Sequence, residues 1–515
     1  HLPNIDNLSK VIQHNHQELQ LANKPLDKAT FTIAVLTVLL VSIPLIIFNE
    51  SIGPSIINLY DYVSFNFGLV YQWVTIGSVG VILWLAFSKY GSIKLGDGDP
   101  EFSTLSWVAM LFSAGVGGGL LYWAGIEWVA YYTSPPFGVE PKSTPALKWA
   151  TSYGLFHWGL AAWCIYALPT IALSYSFYVK KIPYLRFSAA ILGKKSSTSV
   201  WAKLIDLSFM IGLIGGAGTS LSLTTPLISA GISHLTGIQR GSNLDLFVIC
   251  ICIFIFGISV YMGLEKGIKK LADTNLYLSL IFLAFVLIAG PTTFILMMGT
   301  ESIGFMLSNM IEMLTWNDAV DNSGFVQDWT IFYWAWWFAF APYVGIFVTR
   351  ISKGRTIRQI ILSMCAYGSI GSWAFYIILG NYALNLELTG ALPVAEMINA
   401  DAFNAISIII SHLPLGELTL AVFTLVTFIF VATTYDSASY ALASAATKEL
   451  RAGENPAKWH RIFWAITLGV FPIILMYIGG LKVVQSAVLL AGFPIAVISV
   501  LMTRTLIKSL REDHP

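Results

Sequence analysis

The chain has 515 residues, 56% hydrophobic and 11% charged, with a mean hydropathy of +0.71, values that exclude a soluble protein and call for a polytopic membrane protein. The formal net charge of +1 is not gathered into a basic stripe, which argues against a nucleic-acid partner. Cys164, Cys250, Cys252 and Cys365 fall in apolar segments without CxxC spacing, a pattern of core packing rather than of a disulfide framework or a metal site.

Residues 1–30 are polar and too long and mixed for a signal peptide, so they are expected as a cytoplasmic tail with the first span retained. Windows of about 20 apolar residues then predict twelve spans, an all-α polytopic fold. They run roughly Phe31–Phe48, Phe67–Phe87, Leu105–Tyr132, Ala150–Val179, Trp201–Leu235, Leu244–Met262, Thr274–Met298, Trp329–Thr349, Ile357–Leu384, Leu415–Ala446, Trp459–Ile478 and Val483–Leu506. The twelve-helix membrane domain thus covers 31–506, and residues 507–515 form a short second tail. With the N-terminus inside, all but four of the 29 Lys and Arg fall in inner loops and adjoining helix ends, the exceptions being Lys142, Lys148, Arg240 and Lys482. This asymmetry predicts a multi-pass membrane protein with an even number of spans and both termini cytoplasmic. Ser302–Trp316 is amphipathic and short, and reads as an interfacial helix on the outer side.

Two spans carry helix breakers. The third holds Gly115-Val116-Gly117-Gly118-Gly119, four glycines in five positions, each lowering helix stability by roughly 1 kcal/mol against alanine. In the eighth, Pro342 removes a backbone donor and predicts a second break. The two interruptions lie five spans apart and each heads a set of five, the pattern of two inverted five-helix repeats, about 104–298 and 328–506, behind two extra helices. Close packing through small residues would also account for glycines; four in five favour irregular backbone lining a cavity.

Aromatic residues concentrate beside these interruptions. Trp158, Trp163 and Tyr166 fit one broad face of the fourth span at about 100° per residue. Trp334 and Trp337, three apart, share a face of the eighth, with Trp336 and Phe340 close by. Together they form either ordinary packing or a box of π-faces around a trimethylammonium or dimethylsulfonium group, each good contact contributing about 2 kcal/mol without a buried carboxylate. Glu127, His157 and Asp436 lie at depth, where hydrogen-bonded structural roles compete with functional ones.

The runs FHWGLAAWCIY (Phe156–Tyr166), WTIFYWAWW (Trp329–Trp337) and RISKGRTIR (Arg350–Arg358) resemble signature segments of the betaine/choline/carnitine transporter family. YYTSPPFG (Tyr131–Gly138) and GTSLSLTTPL (Gly218–Leu227) are most similar to its carnitine/γ-butyrobetaine antiporter branch. The resemblance implies a LeuT-like fold, a homotrimer of twelve-helix protomers and alternating access. It also implies a central box matched by Trp158, Trp163, Tyr166 and Trp337, with Trp334 and Trp336 along the same pathway.

The family divides on coupling. In its sodium-dependent members a cation sits between the unwound third span and the tenth; the matching positions are Ser113, Val116 and Val431 by main-chain oxygen, and the hydroxyls of Thr433 and Thr434. Oxygen ligands suit a small hard cation, although a membrane threonine more commonly bonds its own helix. Thr219, Ser220, Thr224 and Phe430 match a second sodium site. Sodium-independent exchangers fill the cation positions with an arginine and a methionine, where this chain has Asn275 and Val344. Sodium symport is therefore the expectation, with sodium-free carnitine exchange as the alternative, and no cofactor beyond the coupling ion.

Choline-selective members carry an acid at the position of Gly119; glycine there implies a zwitterion such as glycine betaine, carnitine or dimethylsulfoniopropionate, its carboxylate facing the backbone at Gly117 and Gly119. Phe340 and Ala130 replace tyrosines of the antiporter branch, which thins the grip on carnitine and favours betaine-sized substrates. The short second tail implies no activation by hyperosmotic stress. Arg355 and Arg358 are expected as boundary anchors and loop or trimer contacts. An enzyme is disfavoured by the lack of metal-ligand spacing, nucleophile elbow and paired carboxylates at depth; a channel is disfavoured by stacks that would occlude a pore. A sensor would use the same box, and only flux separates it from a carrier.

Overall fold

The computed structural model describes residues 26–515, except for the side chains of residues 41, 42, 44–46, 49–52, 471–485 and 487. Most of the expected first tail, with His14 and His16, lies outside the described residues. Sixteen helices organise the rest: α1 Lys28–Ile47, α2 Asn49–Phe87, α3 Thr104–Gly115, α4 Gly119–Thr133, α5 Thr144–His157, α6 Leu160–Ser174, α7 Val200–Thr236, α8 Ser242–Met262, α9 Lys269–Ala289, α10 Thr292–Thr315, α11 Phe332–Ile351, α12 Ile357–Phe375, α13 Asn381–Leu388, α14 Val394–Ser411, α15 Gly416–Ala445 and α16 Lys458–Asp513. Among the described residues eleven helices are long and apolar enough to cross a membrane, twelve when α3 and α4 count as one span bent by 63°.

Ten of the twelve expected spans fall among these; the other two are Thr292–Thr315, expected only as an interfacial helix, and Val394–Ser411, while of the expected first span only the shorter apolar helix Lys28–Leu40 is counted and the eleventh runs into residues whose side chains are not described. Four differences concern the course of the helices. The seventh ends at Ala289, because Gly290-Pro291 stops it, and the amphipathic helix begins at Thr292 rather than Ser302. No span was expected at Val394–Ser411, whose apolar run is short and interrupted by Asp401 at φ −158°, ψ 98°. There the Asp401 carboxylate accepts from the Phe403 and Asn404 amides and from Arg240 at 2.9 Å. The last two spans fall in a single helical run, α16, both ends of which meet the same face: Trp459 and Trp464 pack on Phe31, and Asp513 pairs with Lys180.

The eighth span is the fourth difference. No break occurs at Pro342, and α11 runs helical to Ile351 after a π-helical turn at Val326–Ile331. A proline inside a helix costs about 3 kcal/mol or more locally. Here every face of the span is buried, against α3, α6, α7, α15 and α16, and packing of this kind drives helix association in a bilayer. The Tyr343 hydroxyl, next in the chain, donates to the Ala114 carbonyl just ahead of the real break.

One face gathers Lys89 and Lys180, which hold Pro515 and Asp513 at the end of α16, with Arg350, which holds the Gly453 carbonyl just ahead of it. On it Arg350 pairs with Glu101 at 2.8 Å, and Arg355 donates to the Phe102 carbonyl and Thr104. Arg358 holds the Ala86 and Ser88 carbonyls, so this arginine, like Arg355, anchors a loop of its own chain. Cys164, Cys252 and Cys365 are buried as expected; Cys250 is exposed.

Candidate functional site

The glycine run does unwind the third span. α3 stops at Gly115, Val116 is extended at φ −128°, ψ 110°, and α4 restarts at Gly119. A Cβ on Gly115 would stand 2.5 Å from the Trp163 ring, and one on Gly119 would stand 2.9 Å from Trp336. Only glycine lets the backbone come so close to both indoles.

The fourth span is interrupted too, which its sequence was not read to show. α5 ends at His157, Trp158 caps it, and α6 begins at Leu160. A Cβ on Gly159 would meet the Leu155 carbonyl at 2.4 Å and the Trp373 Nε1 at 2.9 Å. That nitrogen donates to the Leu155 carbonyl, fixing the step from α12. Trp158 and Tyr166 therefore meet across a step and not along a straight helix face.

They converge on Trp337 nonetheless. The Trp158 ring stands edge-on to Trp337 with centroids 4.7 Å apart, and Tyr166 edge-on at 5.9 Å. Trp336 stacks beside Trp337 at 5.1 Å, and Trp163 reaches Tyr166 at 5.5 Å. The contributing face of α11 is Tyr333, Trp336, Trp337 and Phe340, the i, i+3, i+4, i+7 stripe of one helix side; Phe340 touches Trp336 at 6.2 Å and closes on Gly216. Trp334 lies off that stripe, against Phe156 and His157. Every ring named is almost wholly buried. The Trp337 Nε1 donates to the His157 carbonyl at 2.9 Å, whereas Nε1 of Trp158, Nε1 of Trp336 and the Tyr166 hydroxyl have no hydrogen-bond partner among the described residues.

Below the break, Thr434 of α15 reaches across to α3. Its hydroxyl lies 3.3 Å from the Ser113 carbonyl and 3.5 Å from that of Val116, while also bonding Phe430 of its own helix at 3.0 Å. Thr433 bonds only the Phe430 carbonyl, at 2.9 Å. Val431 packs its side chain against Gly118. Of the second set, Thr219 and Thr224 bond back to Gly215 and Ser220, and Phe430 stacks edge-on to Phe112 and Phe375. The buried Ser220 hydroxyl lacks a partner and faces Gly117 on the same side as Thr434. All these donors are neutral oxygens, a set that fits a hard monovalent cation. Asn275 and Val344 are both buried, and neither carries a charge or a thioether.

Beyond Trp158 lies a second network, whose tyrosines the sequence reading did not single out. The Glu127 carboxylate accepts from the hydroxyls of Tyr131, Tyr333 (2.5 Å) and Tyr376. His157 Nδ1 lies 3.1 Å from the Tyr131 hydroxyl, and its Nε2 lies 3.0 Å from Thr330. Tyr376 and Thr330 both sit in π-helical turns, Tyr376–Gly380 and Val326–Ile331; Tyr376 reaches the carboxylate and Thr330 reaches His157. Only Tyr131, four residues past Glu127, was locally visible. Asp436 accepts from Ser259 at 2.6 Å and from Ser437, the structural role weighed for it.

Known proteins share this plan. A family model described as "BCCT, betaine/carnitine/choline family transporter" matches residues 29–515. A carnitine transporter of Acinetobacter baumannii is 36% identical over 435 residues, 84% of this chain and 79% of the relative. Among solved structures, the substrate-bound outward-open state of a Na+-coupled sialic acid symporter matches with a TM-score of 0.50 at 13% identity, over 84% of this chain and 85% of that chain. At that identity the likeness speaks for the fold alone, the LeuT-like helical architecture. With a family match from the first described helix to the last, and a relative of this identity, the chain belongs to the betaine/carnitine/choline transporter family.

Proposed function

We propose that this transporter is a sodium-coupled symporter of a zwitterionic quaternary-ammonium compound, of the carnitine or glycine betaine type, working by alternating access in the bacterial inner membrane with both termini cytoplasmic. The observation that carries the coupling is the Thr434 hydroxyl, poised over the Ser113 and Val116 carbonyls across the break. Ser113, Val116 and Val431 main-chain oxygens with Thr433 and Thr434 would hold the ion. A bound sodium ion would supply positive charge that ties α3 to α15 beside the substrate.

The chain's own residues do the rest. Trp158, Tyr166, Trp336 and Trp337 offer π-faces to the onium head, with Trp163 behind Tyr166 against Gly115. The unpartnered Trp158 and Trp336 Nε1 groups and the Tyr166 hydroxyl are donors suited to a carboxylate. The backbone at Gly119 lies against Trp336, and that at Gly117 against Ser220 and Thr434. Carnitine appears in the relative's name; a phenyl at Phe340 and an uncharged Gly119 suit a betaine-sized zwitterion as well. A sodium-independent exchanger is the second reading; Asn275 and Val344, neither cationic nor sulfur-bearing, speak against it. A homotrimer belongs to the same family-based reading.

The test is binding of carnitine and glycine betaine to purified protein by tryptophan fluorescence, in sodium and in potassium at matched ionic strength. Binding that needs or tightens with sodium is the expected result. Equal binding in both salts points to exchange, and no binding of either ligand rejects the substrate class.

A further inference from the structure

Four arginines on the basic face are buried: Arg186, Arg350, Arg355 and Arg461. Three have protein acceptors. Arg186 takes Asp27 and the Thr447 carbonyl, Arg350 takes Glu101 and the Gly453 carbonyl, and Arg355 takes Thr104 and the Phe102 carbonyl. Arg461, 4% exposed at the start of α16, is different: among the described residues neither its Nε nor its Nη1 has a hydrogen-bond partner. A guanidinium withdrawn from water without an anion is strongly disfavoured, so its surroundings should supply one.

Those surroundings point to the bilayer. Arg461 Nη1 lies 3.5 Å from where a Cβ on Gly263 would stand, so the guanidinium rests on the turn joining α8 to α9. The next turn carries Lys266 and Lys270, both exposed, and Lys458 stands over the Tyr261 ring at 5.2 Å. Tyr261 and Trp459 are themselves 53% and 51% exposed, flanking the cluster with the ring types that favour the membrane interface. Glu265, the acid on the same turn, is exposed and bonds neither free nitrogen.

We infer that Arg461, with Lys266, Lys270 and Lys458, binds the phosphate of an anionic phospholipid in the leaflet on the basic face. Basic pockets between helices beside that leaflet suit such headgroups, and a guanidinium fork holds phosphate oxygens more firmly than an ammonium does. The exposed edges of α8 and α16, with Phe254, Ile466 and Val470, give the acyl chains an apolar surface. The site is separate from the aromatic box and stands whether or not the ligand and coupling ion proposed above are right.

The experiment titrates the purified full chain in detergent with phosphatidylglycerol, phosphatidylcholine or inorganic phosphate at constant ionic strength, following thermal unfolding by tryptophan fluorescence. Phosphatidylglycerol should stabilise the protein saturably, and Arg461→Gln should raise the half-saturating concentration about tenfold or more. The exposed-site double variant Lys266→Gln/Lys458→Gln should raise it roughly fivefold or more, and it carries the test if Arg461→Gln fails to fold. An unchanged titration in either folded variant, an equal response to phosphatidylcholine, or full replacement by inorganic phosphate overturns the inference.

Discussion

Glu127 and Trp337 sit on either side of Tyr333, both wholly surrounded by protein, and their polar neighbours behave in opposite ways. Around Glu127 the donors are spent: three phenol hydroxyls close on one carboxylate, and His157 ties the cluster to Thr330. Around Trp337 the rings touch, but two indole N–H groups and the Tyr166 hydroxyl are uncommitted. Buried polar groups are ordinarily paired, and a closed network stiffens what it joins. The first region thus reads as the frame that holds α4, α5, α11 and the Tyr376 turn together. The second has chemistry left over for a ligand.

Substitutions can break that contrast. Glu127→Ala strips the acceptor from three buried hydroxyls at once, and should cost about 3 kcal/mol or more of stability, seen as a lower unfolding temperature. A fall in ligand affinity without any loss of stability would reverse the assignment of the two regions. Trp337→Leu should leave the fold in place and weaken onium binding about 30-fold, the equivalent of one desolvated cation–π contact; unchanged affinity by tryptophan fluorescence would remove the box.

The two threonines sharpen the picture at the break. Thr434→Ala should raise the sodium concentration for half-maximal binding about tenfold, since its hydroxyl alone spans α15 and α3. Thr433→Ala should change it by less than about threefold, because that hydroxyl already bonds its own helix and bonding of this kind is local. The reverse order in a sodium titration would exchange their roles.

What could be seen in the sequence follows how local each cause is. Four glycines within five residues unwind a helix whatever surrounds them, and the break appears where they stand. Pro342 has an equally local signature, yet α11 continues, since the decision rests on the helices packed around it. The step at Trp158–Gly159 depends on Trp373, far along the chain, reaching the Leu155 carbonyl, and a helix wheel has no term for that. On α11 the ring-bearing stripe was legible because its residues recur at helical spacing; Trp334 fell outside because its offset from Trp337, about 60°, is on the side away from Tyr333, Trp336 and Phe340, where Phe156 and His157 lie. Tyr333 and Tyr376 were illegible for a plainer reason: they lie 206 and 249 residues from the carboxylate they serve.

The 63° bend between α3 and α4 carries one further consequence. Each half-helix keeps its own macrodipole, so the carbonyl end of α3, about half a negative charge, and the amide end of α4, about half a positive one, meet beside the same rings. A straight helix would have cancelled these partial charges head to tail. The bend leaves a fixed electric field of two signs in a medium that screens it poorly, and a molecule carrying both a cation and an anion can align with it. One that carries a single charge gains from only one end, so a zwitterionic substrate of the kind proposed would draw on both.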